Sequence, residues 1–204
     1  EMVSALQEAQ NGGKPFPAEK FVNKIPVKKH DHVLIPAGTV HCSGADTMVL
    51  EISATPYIFT FKLWDWGRVD LDGKPRPIHL EHGAANIQWY RNTEWVHKNL
   101  INAVAEVYSD ENGTVVRTGL HEREFLDTFR FTTSSALPVH RNGSVHMLNL
   151  VDGTRAVLRS KSDAFPPLEL HYAETCIVPQ AAGDYEIYSP DGSEVKVILA
   201  CVRN

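Results

Sequence analysis

The chain has 204 residues, which is enough for one large β domain or two small ones. Its 43% hydrophobic and 22% charged residues are ordinary for a globular protein, and its net charge of -5 argues against a general binder of nucleic acid or membrane surfaces. An anionic ligand would therefore need a local cluster of cations.

The cysteine content and the hydropathy pattern suggest a cellular compartment. Cys42, Cys176 and Cys201 lack the spacing of a disulfide framework, and their odd number is typical of a reducing compartment. No apolar run approaches the roughly 18–20 residues that cross a bilayer, and no signal peptide is recognisable. We therefore predict a cytoplasmic protein.

The first 29 residues predict a pair of short helices. Residues 1–10 place apolar side chains on one side of a helix, and residues 18–25 form a second amphipathic piece after a break rich in Gly and Pro. We interpret the pair as a surface element that packs on a neighbouring barrel. Because the chain opens with Glu1 inside a predicted helix, we expect it to be a fragment, a processed product or a single domain.

A sharp turn then leads to a single histidine. Pro36 fixes its own backbone angle and Gly38 can adopt positive φ, so this turn can deliver His41 into the mouth of a β-barrel. His41 is therefore a candidate metal ligand, and a hydrogen-bonded polar residue is the alternative. His30 and His32 flank an earlier turn, about 20 Å of strand away, and we assign them to that turn.

Two strands and a charged turn are predicted next. Residues 48–53, with Glu51, alternate as a strand does, and residues 57–66 predict a second strand. Together with the turn that follows, this stretch contains four cations: Lys62, Arg68, Lys74 and Arg76. They suit a pocket wall for an anionic ligand, because Arg favours bidentate contact with phosphate or sugar oxygens. The alternatives are an ion pair of Arg68 with Asp65 or Asp70, and a solvated turn around Lys74.

The rest of the chain changes from helical to β character. A short helix is predicted over 79–90, a domain boundary within 88–102, and seven or eight strands from residue 103, which favour a sandwich or jelly roll. Asn112-Gly113 and Asp152-Gly153 predict tight hairpins. Four histidines lack a third partner of ligand spacing and are interpreted as structural: His79, His82, His140 and His146.

Three segments of the sequence, in this order, are similar to the middle of type I phosphomannose isomerases. They are IPAGTVH (35–41), VLEIS (49–53) and LWDWGRVDLDGKPRPIHLE (63–81). These isomerases are zinc-dependent cupin enzymes that interconvert mannose 6-phosphate and fructose 6-phosphate. The resemblance covers residues 18–90 well and the C-terminal half only by pattern.

The resemblance implies a mainly β fold of cupin jelly-roll barrels. Residues 1–29 would be a helical insertion, residues 30–90 part of the metal-bearing cupin, and residues 103–204 a second, cupin-like β domain. The segment 176–183, CIVPQAAG, lies where the second barrel would have its metal motif. It has no ligand side chain there, so the second cupin is expected to be metal-free.

The resemblance also implies roles for individual residues. His41 would bind one divalent ion, zinc in this family, whose other ligands (Gln, His and Glu) lie on upstream strands that nothing before residue 30 matches. Arg68 would bind the sugar and stabilise charge as a proton moves between C1 and C2 through a cis-enediol. Glu51 would be a pocket carboxylate able to act in acid–base chemistry. Lys74 would contact phosphate or assist proton transfer, and Arg76 would contact the substrate.

The expected partners are a sugar phosphate and either the missing N-terminal portion of the same protein or another domain. We expect the complete protein to be an isomerase and this chain alone to be inactive, even with added zinc. The rival hypothesis is a non-catalytic cupin module that binds a sugar or a partner domain. It is favoured by the missing ligands and by His30, where cupins usually have Gly. A cupin enzyme of another class, such as an epimerase, is disfavoured by the cationic turn.

Overall fold

The structure is a computed structural model that describes residues 1–12, 14–53, 60–74 and 76–203. By its internal contacts the chain divides into two units. The N-terminal unit comprises Glu1–Leu50 and Thr55–Ile101, and the C-terminal unit comprises Glu51–Ala54 and Asn102–Asn204. No helix within the described ranges is long and apolar enough to cross a membrane.

The N-terminal unit contains four short helices in its described residues. They are α1 (Met2–Gln10), α2 (Ala18–Phe21), α3 (Leu80–Asn86) and α4 (Thr93–Asn99). The helix predicted over 1–10 is confirmed, and α3 lies inside the helix predicted over 79–90. The helix predicted over 18–25 is shorter, because the backbone is already extended at Val22.

A small apolar cluster holds these helices together. Leu6 of α1 is fully buried, and Phe16 and Leu80 are each 8% exposed. The ring of Phe16 stacks on that of Phe21 at 5.5 Å between centroids and lies 6.0 Å from the ring of Trp64. Trp64, which directly precedes the predicted cationic turn, therefore packs against this buried cluster.

The two strands predicted in this region are not formed in the described residues. Residues 48–53 and 60–66 have no ladder partner among the described residues, and residues 57–59 of the second predicted strand lie outside them. A strand needs a neighbour that pairs its backbone N–H and C=O groups. Nearby, Val33 makes only an isolated antiparallel bridge with Ile101. Alternation of side chains in the sequence does not supply such a neighbour.

The C-terminal unit is built of antiparallel sheets. Its strands are β1 (Ala105–Asp110), β2 (Gly113–Arg117), β3 (Leu126–Thr133), β4 (Ala136–Val139), β5 (His146–Asp152), β6 (Arg155–Ser160), β7 (Leu168–His171), β8 (Thr175–Val178), β9 (Tyr185–Tyr188) and β10 (Val195–Val202). One sheet has the order β1-β2-β3-β10-β5-β8 and the other β4-β9-β6-β7. The mainly β, jelly-roll prediction is confirmed.

The core of this unit lies between the two sheets. Strand β10 pairs with β3 along its whole length and with β5 on its other side. Its alternate residues face inward, as the two-residue period of a strand requires. Residues of both sheets are fully buried there: Leu148 and Leu150 of β5, Leu158 of β6, Ile187 of β9, and Val195 and Val197 of β10. Each such side chain contributes about 1.5–3 kcal/mol by its burial.

The two predicted hairpins have different outcomes. Strands β1 and β2 pair up to Asp110 and Gly113, and the Asp110 carboxylate accepts hydrogen bonds from the backbone N–H groups of Asn112 (2.8 Å) and Gly113 (3.1 Å), so the first hairpin is confirmed. The second prediction is wrong. Gly153, with φ of 85°, follows β5, which pairs with β10 and β8, and precedes β6, which pairs with β7 and β9. The Asp152-Gly153 turn therefore joins the two sheets.

Candidate functional site

The turn before His41 has the predicted geometry. The backbone N–H of Thr39 donates to the Pro36 carbonyl (3.2 Å), the Thr39 hydroxyl donates to the same oxygen (2.7 Å), and Gly38 has φ of 81°. Positive φ at the third position of a turn is the conformation that favours glycine. Pro36 is buried and His41 is exposed, so the turn anchors the chain and presents the imidazole outward.

A hydrogen bond sets the tautomer of His41. Its Nδ1 lies 2.8 Å from the Thr39 carbonyl oxygen. Because a carbonyl only accepts, Nδ1 must hold the hydrogen, and Nε2 is left for another partner. Metal-binding histidines use this arrangement, in which the second ring nitrogen donates to a backbone carbonyl. The same hydrogen bond is expected of the alternative, a hydrogen-bonded polar residue, so the metal-ligand role of His41 stays a prediction.

One imidazole does not make a metal site. Catalytic zinc takes three protein ligands and keeps one position open. No group of three or more His, Cys, Asp or Glu side chains able to hold a metal ion occurs among the residues that the structure describes. His30 belongs to the turn to which we assigned it, with φ of 70° and a hydrogen bond from Asp31 N to Lys28 O (3.1 Å).

The charged segment folds as a hairpin, here called the cationic hairpin, whose described residues are 65–74 and 76. The backbone N–H of Arg68 donates to the Asp65 carbonyl at 3.0 Å, and Trp66 and Gly67, between them, both have positive φ. This is the pattern of a type I′ turn. A second turn follows, in which Gly73 N–H donates to Asp70 O at 2.9 Å.

The hairpin places two of the four cations opposite each other. The backbone N–H of Arg76 donates to the Arg68 carbonyl at 3.4 Å, and that of Asp70 donates to the Lys74 carbonyl at 2.8 Å. Arg68 and Arg76 therefore lie at the base of the cationic hairpin, and Lys74 lies near its tip. The sequence prediction that these three residues lie close together on one turn is consistent with this geometry.

Three of the four cations form ion pairs with carboxylates. The Asp65 side chain is only 13% exposed and forms two ion pairs. Arg76 Nε lies 2.9 Å from Oδ2, although its N–H is not aligned for a hydrogen bond. Lys62 Nζ lies 3.7 Å from Oδ1. Lys74 Nζ lies 3.6 Å from Asp72 Oδ2, and its side chain is 80% exposed. Arg76 and Lys62 therefore share the single negative charge of Asp65.

Arg68 is the available cation. It is exposed, and its guanidinium makes no hydrogen bond or ion pair with any residue that the structure describes. The alternative in which it pairs with Asp65 or Asp70 is not formed. Residues 62–76 contain four cations and three carboxylates, a net charge of only +1. Attraction of an anion must therefore come from direct contact with Arg68 more than from a general positive field.

Glu51 is assigned to a different unit from the other candidate residues. It is exposed and groups by contacts with the C-terminal unit, whereas His41 and the cationic hairpin belong to the N-terminal unit. The role predicted for Glu51 beside the metal and the sugar stays a prediction.

His79 and His82 contact the residues that lead into the cationic hairpin. The Lys62 backbone N–H donates to His79 Nδ1 at 3.3 Å, and the His79 N–H donates to the Lys62 carbonyl at 2.8 Å. The ring of His82 stacks on that of Phe61 at 6.1 Å. Their structural interpretation is confirmed.

Sequence reasoning missed Arg91. Its Nη1 donates to the carbonyl oxygens of Pro36 (3.0 Å) and Ala37 (2.7 Å) and to the hydroxyl of Thr39 (2.6 Å), more than 50 residues earlier in the chain. The guanidinium also lies over the rings of Tyr90 and Trp95, at 5.5 and 5.3 Å from their centroids. An arginine flanked by two aromatic residues was the signal available in the sequence.

A buried polar pair lies inside the C-terminal unit. His146 is 2% exposed, and its Nδ1 lies 2.9 Å from the hydroxyl of the fully buried Tyr185. Burial, reinforced by the nearby Arg141 cation, lowers the pKa of His146 to about 4. Burial likewise raises the pKa of Tyr185. Both groups are therefore neutral at pH 7, and the structural interpretation of His146 is confirmed.

His140 and the segment after β8 also have structural contacts. His140 Nδ1 lies 2.9 Å from the Asp184 carboxylate, whose pKa is lowered first by the backbone N–H of Arg141 and then by His140. Residues Gln180–Ala182, where the metal motif of a second cupin would lie, form a 3₁₀-helix. Arg141 Nε donates to Gln180 Oε1 at 3.2 Å.

Comparison with known proteins shows partial similarity to mannose-6-phosphate isomerases. No family model matches the chain. The mannose-6-phosphate isomerase of Streptococcus mutans is 35% identical over 63 residues, which are 31% of this chain and 20% of that protein. Mannose-6-phosphate isomerase ManA of Bacillus subtilis is 22% identical over 135 residues, 66% of this chain and 40% of that protein. The chain is therefore similar to mannose-6-phosphate isomerases over part of their length.

A solved structure supports the same conclusion for the fold. The crystal structure of the Bacillus subtilis mannose 6-phosphate isomerase matches with a TM-score of 0.51 and 13% identity, over 69% of this chain and 39% of that one. At this identity the match shows the cupin fold alone. The chain spans less than half the length of each of these isomerase relatives.

Proposed function

We propose that this chain is part of an aldose–ketose isomerase that interconverts mannose 6-phosphate and fructose 6-phosphate. The observation that carries the proposal is the exposed guanidinium of Arg68, without a partner among the described residues, at the base of a hairpin that also carries Lys74 and Arg76. The similarity to isomerases supports an isomerase-like function. The substrate, the metal and the residue roles are our proposal.

In this proposal Arg68 contacts the sugar phosphate and stabilises negative charge that develops on the sugar oxygens as the proton moves between C1 and C2. A preorganised cation at developing charge is worth about 10²–10³ in rate. Arg76 would have to exchange its Asp65 partner for the ligand, and Lys74 would reach the phosphate from the tip of the hairpin. Glu51 would supply a carboxylate for acid–base transfer.

His41 would hold one divalent ion through Nε2, because Nδ1–H already donates to the Thr39 carbonyl. Zinc fits an imidazole nitrogen, and a divalent ion would polarise the sugar oxygens. Among the described residues, His41 is the one ligand that we assign to the ion.

The second candidate function is a non-catalytic cupin module that binds a sugar or a partner domain. It is favoured by the lack of a second and third metal ligand in the parts of the chain that the structure describes. We retain a cytoplasmic location as part of the proposal, and the three free cysteines are consistent with a reducing compartment.

The test compares two exposed arginines. Arg68→Ala in the full gene product should lower kcat/KM for mannose 6-phosphate by at least ~10²-fold, as expected for the loss of one transition-state charge contact. Arg123→Ala is the matched control, because Arg123 is also exposed and its side chain has no partner among the described residues. It should leave kcat/KM unchanged.

The same variants separate the two candidate functions. Calorimetry with mannose 6-phosphate and with mannose measures whether binding needs the phosphate and Arg68. Binding without turnover in wild type would support the non-catalytic module. A near-normal rate for Arg68→Ala would refute the role of Arg68.

A further inference from the structure

We infer that Arg91 is a positioning residue that fixes the turn at Pro36–Thr39 and, through Thr39, sets the direction and tautomer of His41. The effect on the ring of His41 is independent of any activity, whereas its consequence for catalysis rests on the proposed function. Arg91 lies outside the three segments that resemble the isomerases, residues 35–41, 49–53 and 63–81.

The contacts of Arg91 converge on one short turn. A single guanidinium nitrogen, Nη1, lies within 3.0 Å of three oxygens: the carbonyls of Pro36 and Ala37 and the hydroxyl of Thr39. Such contacts to a charged donor are stronger than neutral hydrogen bonds. They hold two backbone carbonyls, of Pro36 and Ala37, and the side-chain hydroxyl of Thr39 to one rigid planar group.

The guanidinium is itself held in place. Tyr90 and Trp95 lie on it, and their own rings meet edge to face at 5.6 Å. Trp95 is fixed at the start of α4, where its backbone N–H donates to Asn92 Oδ1 at 3.0 Å. Because Arg91 is partly buried between these rings and the turn, it cannot move freely toward solvent.

Residues 86–91 also contact the turn through backbone hydrogen bonds. The backbone N–H of Gln88 donates to the Gly38 carbonyl at 2.9 Å, and the Arg91 N–H donates to the Gln88 carbonyl at 3.0 Å. A Cβ on Gly38 would lie 2.5 Å from the Asn86 carbonyl oxygen. Residues 86–91 therefore form a close-fitting clamp on the turn.

Thr39 connects this clamp to the imidazole. Its hydroxyl donates to the Pro36 carbonyl and accepts from Arg91, and its carbonyl oxygen accepts from His41 Nδ1. The direction of that carbonyl decides where the His41 ring lies and keeps the hydrogen on Nδ1. Loss of Arg91 would free the peptide between Thr39 and Val40 and remove the preference for one tautomer. In metal sites, partners of this kind are worth about 10–100-fold in affinity or activity.

The experiment measures the tautomer of His41 directly. Long-range ¹H–¹⁵N NMR of the ¹⁵N-labelled chain at pH 8.5 distinguishes Nδ1–H from Nε2–H imidazole, and His41→Gln identifies the His41 signals among those of the ten histidines. Wild type should show the Nδ1–H tautomer. Arg91→Ala should show exchange between both tautomers, added guanidinium ion should restore Nδ1–H, and the control Arg123→Ala should resemble wild type.

A second variant protects the test against misfolding. Thr39→Val removes the hydroxyl that Nη1 contacts while leaving Arg91 in place, and it should shift the His41 tautomer in the same direction. Tryptophan fluorescence in urea reports whether each variant is folded, since all four tryptophans lie in the N-terminal unit. A folded Arg91→Ala or Thr39→Val protein with wild-type His41 signals would overturn the inference.

Activity provides a separate readout. In a preparation that isomerises mannose 6-phosphate, Arg91→Ala should lower kcat by about 10–100-fold, and guanidinium ion should raise it again. A tautomer shift in a protein without isomerase activity would support the positioning role and count against the proposed function. Loss of activity with an unchanged tautomer and no guanidinium rescue would refute the positioning role alone.

Discussion

Acidification from pH 7 to pH 5 should destabilise the C-terminal unit through His146. This histidine lies 2% exposed between the sheets, in contact with the Tyr185 hydroxyl and near the Arg141 cation. Its pKa is lowered from 6.5 to about 4 in the folded state. In this pH window the unfolded state binds the proton and the folded state does not, so stability falls as the pH falls.

The magnitude follows from the two pKa values. Linkage gives a loss of about 2 kcal/mol between pH 7 and pH 5, and the loss levels off at about 3 kcal/mol below pH 4, where both states are protonated. Asp184 and Glu186 contribute little above pH 5, because their pKa values are lowered from ordinary values of 3.8 and 4.5. The histidine effect is therefore separated from ordinary acid unfolding.

The assay is urea unfolding at pH 7, 6 and 5, followed by far-UV circular dichroism, which reports on the strands of the C-terminal unit. His146→Gln retains an amide that can bond the Tyr185 hydroxyl, but its side chain does not titrate. Between pH 7 and pH 5 its free energy of unfolding should therefore fall by about 2 kcal/mol less than that of wild type. His140→Gln is the control, since that side chain is 78% exposed. Equal pH dependence in wild type and His146→Gln would refute the reasoning.

Two further predictions concern packing and backbone strain. Leu148→Ala, at a fully buried position, should lower the free energy of unfolding by about 2–5 kcal/mol, whereas Met147→Ala, at the 45% exposed position next to it, should change it by about 0.5 kcal/mol or less in the same urea assay. Gly38→Ala should destabilise the N-terminal unit by at least about 1 kcal/mol, because φ is 81° and the new Cβ would meet the Asn86 carbonyl at 2.5 Å. Gly44→Ala has open space and no positive φ, and its urea midpoint by tryptophan fluorescence should stay close to wild type; equal effects at the two glycines would refute the strain argument.

Local patterns in the sequence predicted the elements whose partners are adjacent in the chain. The turn at Pro36–Thr39 forms because Gly38 accepts positive φ, and the first hairpin forms because Asp110 can satisfy the N–H groups of the two residues after Glu111. Alternation along β5 and β10 matches their buried and exposed faces. These features depend on steric and hydrogen-bonding properties of a few consecutive residues, which a sequence displays directly.

Features decided by distant partners were not predictable in the same way. The turn at Asp152-Gly153 has hairpin chemistry, yet its two strands find their partners elsewhere, β10 and β8 for one and β7 and β9 for the other. Residues 48–53 alternate correctly but have no neighbouring strand among the described residues. Arg91 reaches a turn more than 50 residues away. A periodic pattern specifies which face of a segment is apolar, and it does not specify the segment that will pair with it.

The cationic hairpin shows how such a distant contact decides chemistry. From spacing alone, Asp65 could pair with Lys62 or Arg68, each three residues away, or with Arg76, eleven residues away. The cationic hairpin brings Arg76, the most distant of the three in the sequence, to 2.9 Å from the Asp65 carboxylate. Arg68 is then available for a ligand. Because a partly exposed ion pair is worth only about 1 kcal/mol or less, a phosphate bound first by Arg68 could draw Arg76 away from Asp65 at small cost. Under the proposed function, Arg68 would make the first contact with the phosphate and Arg76 the second.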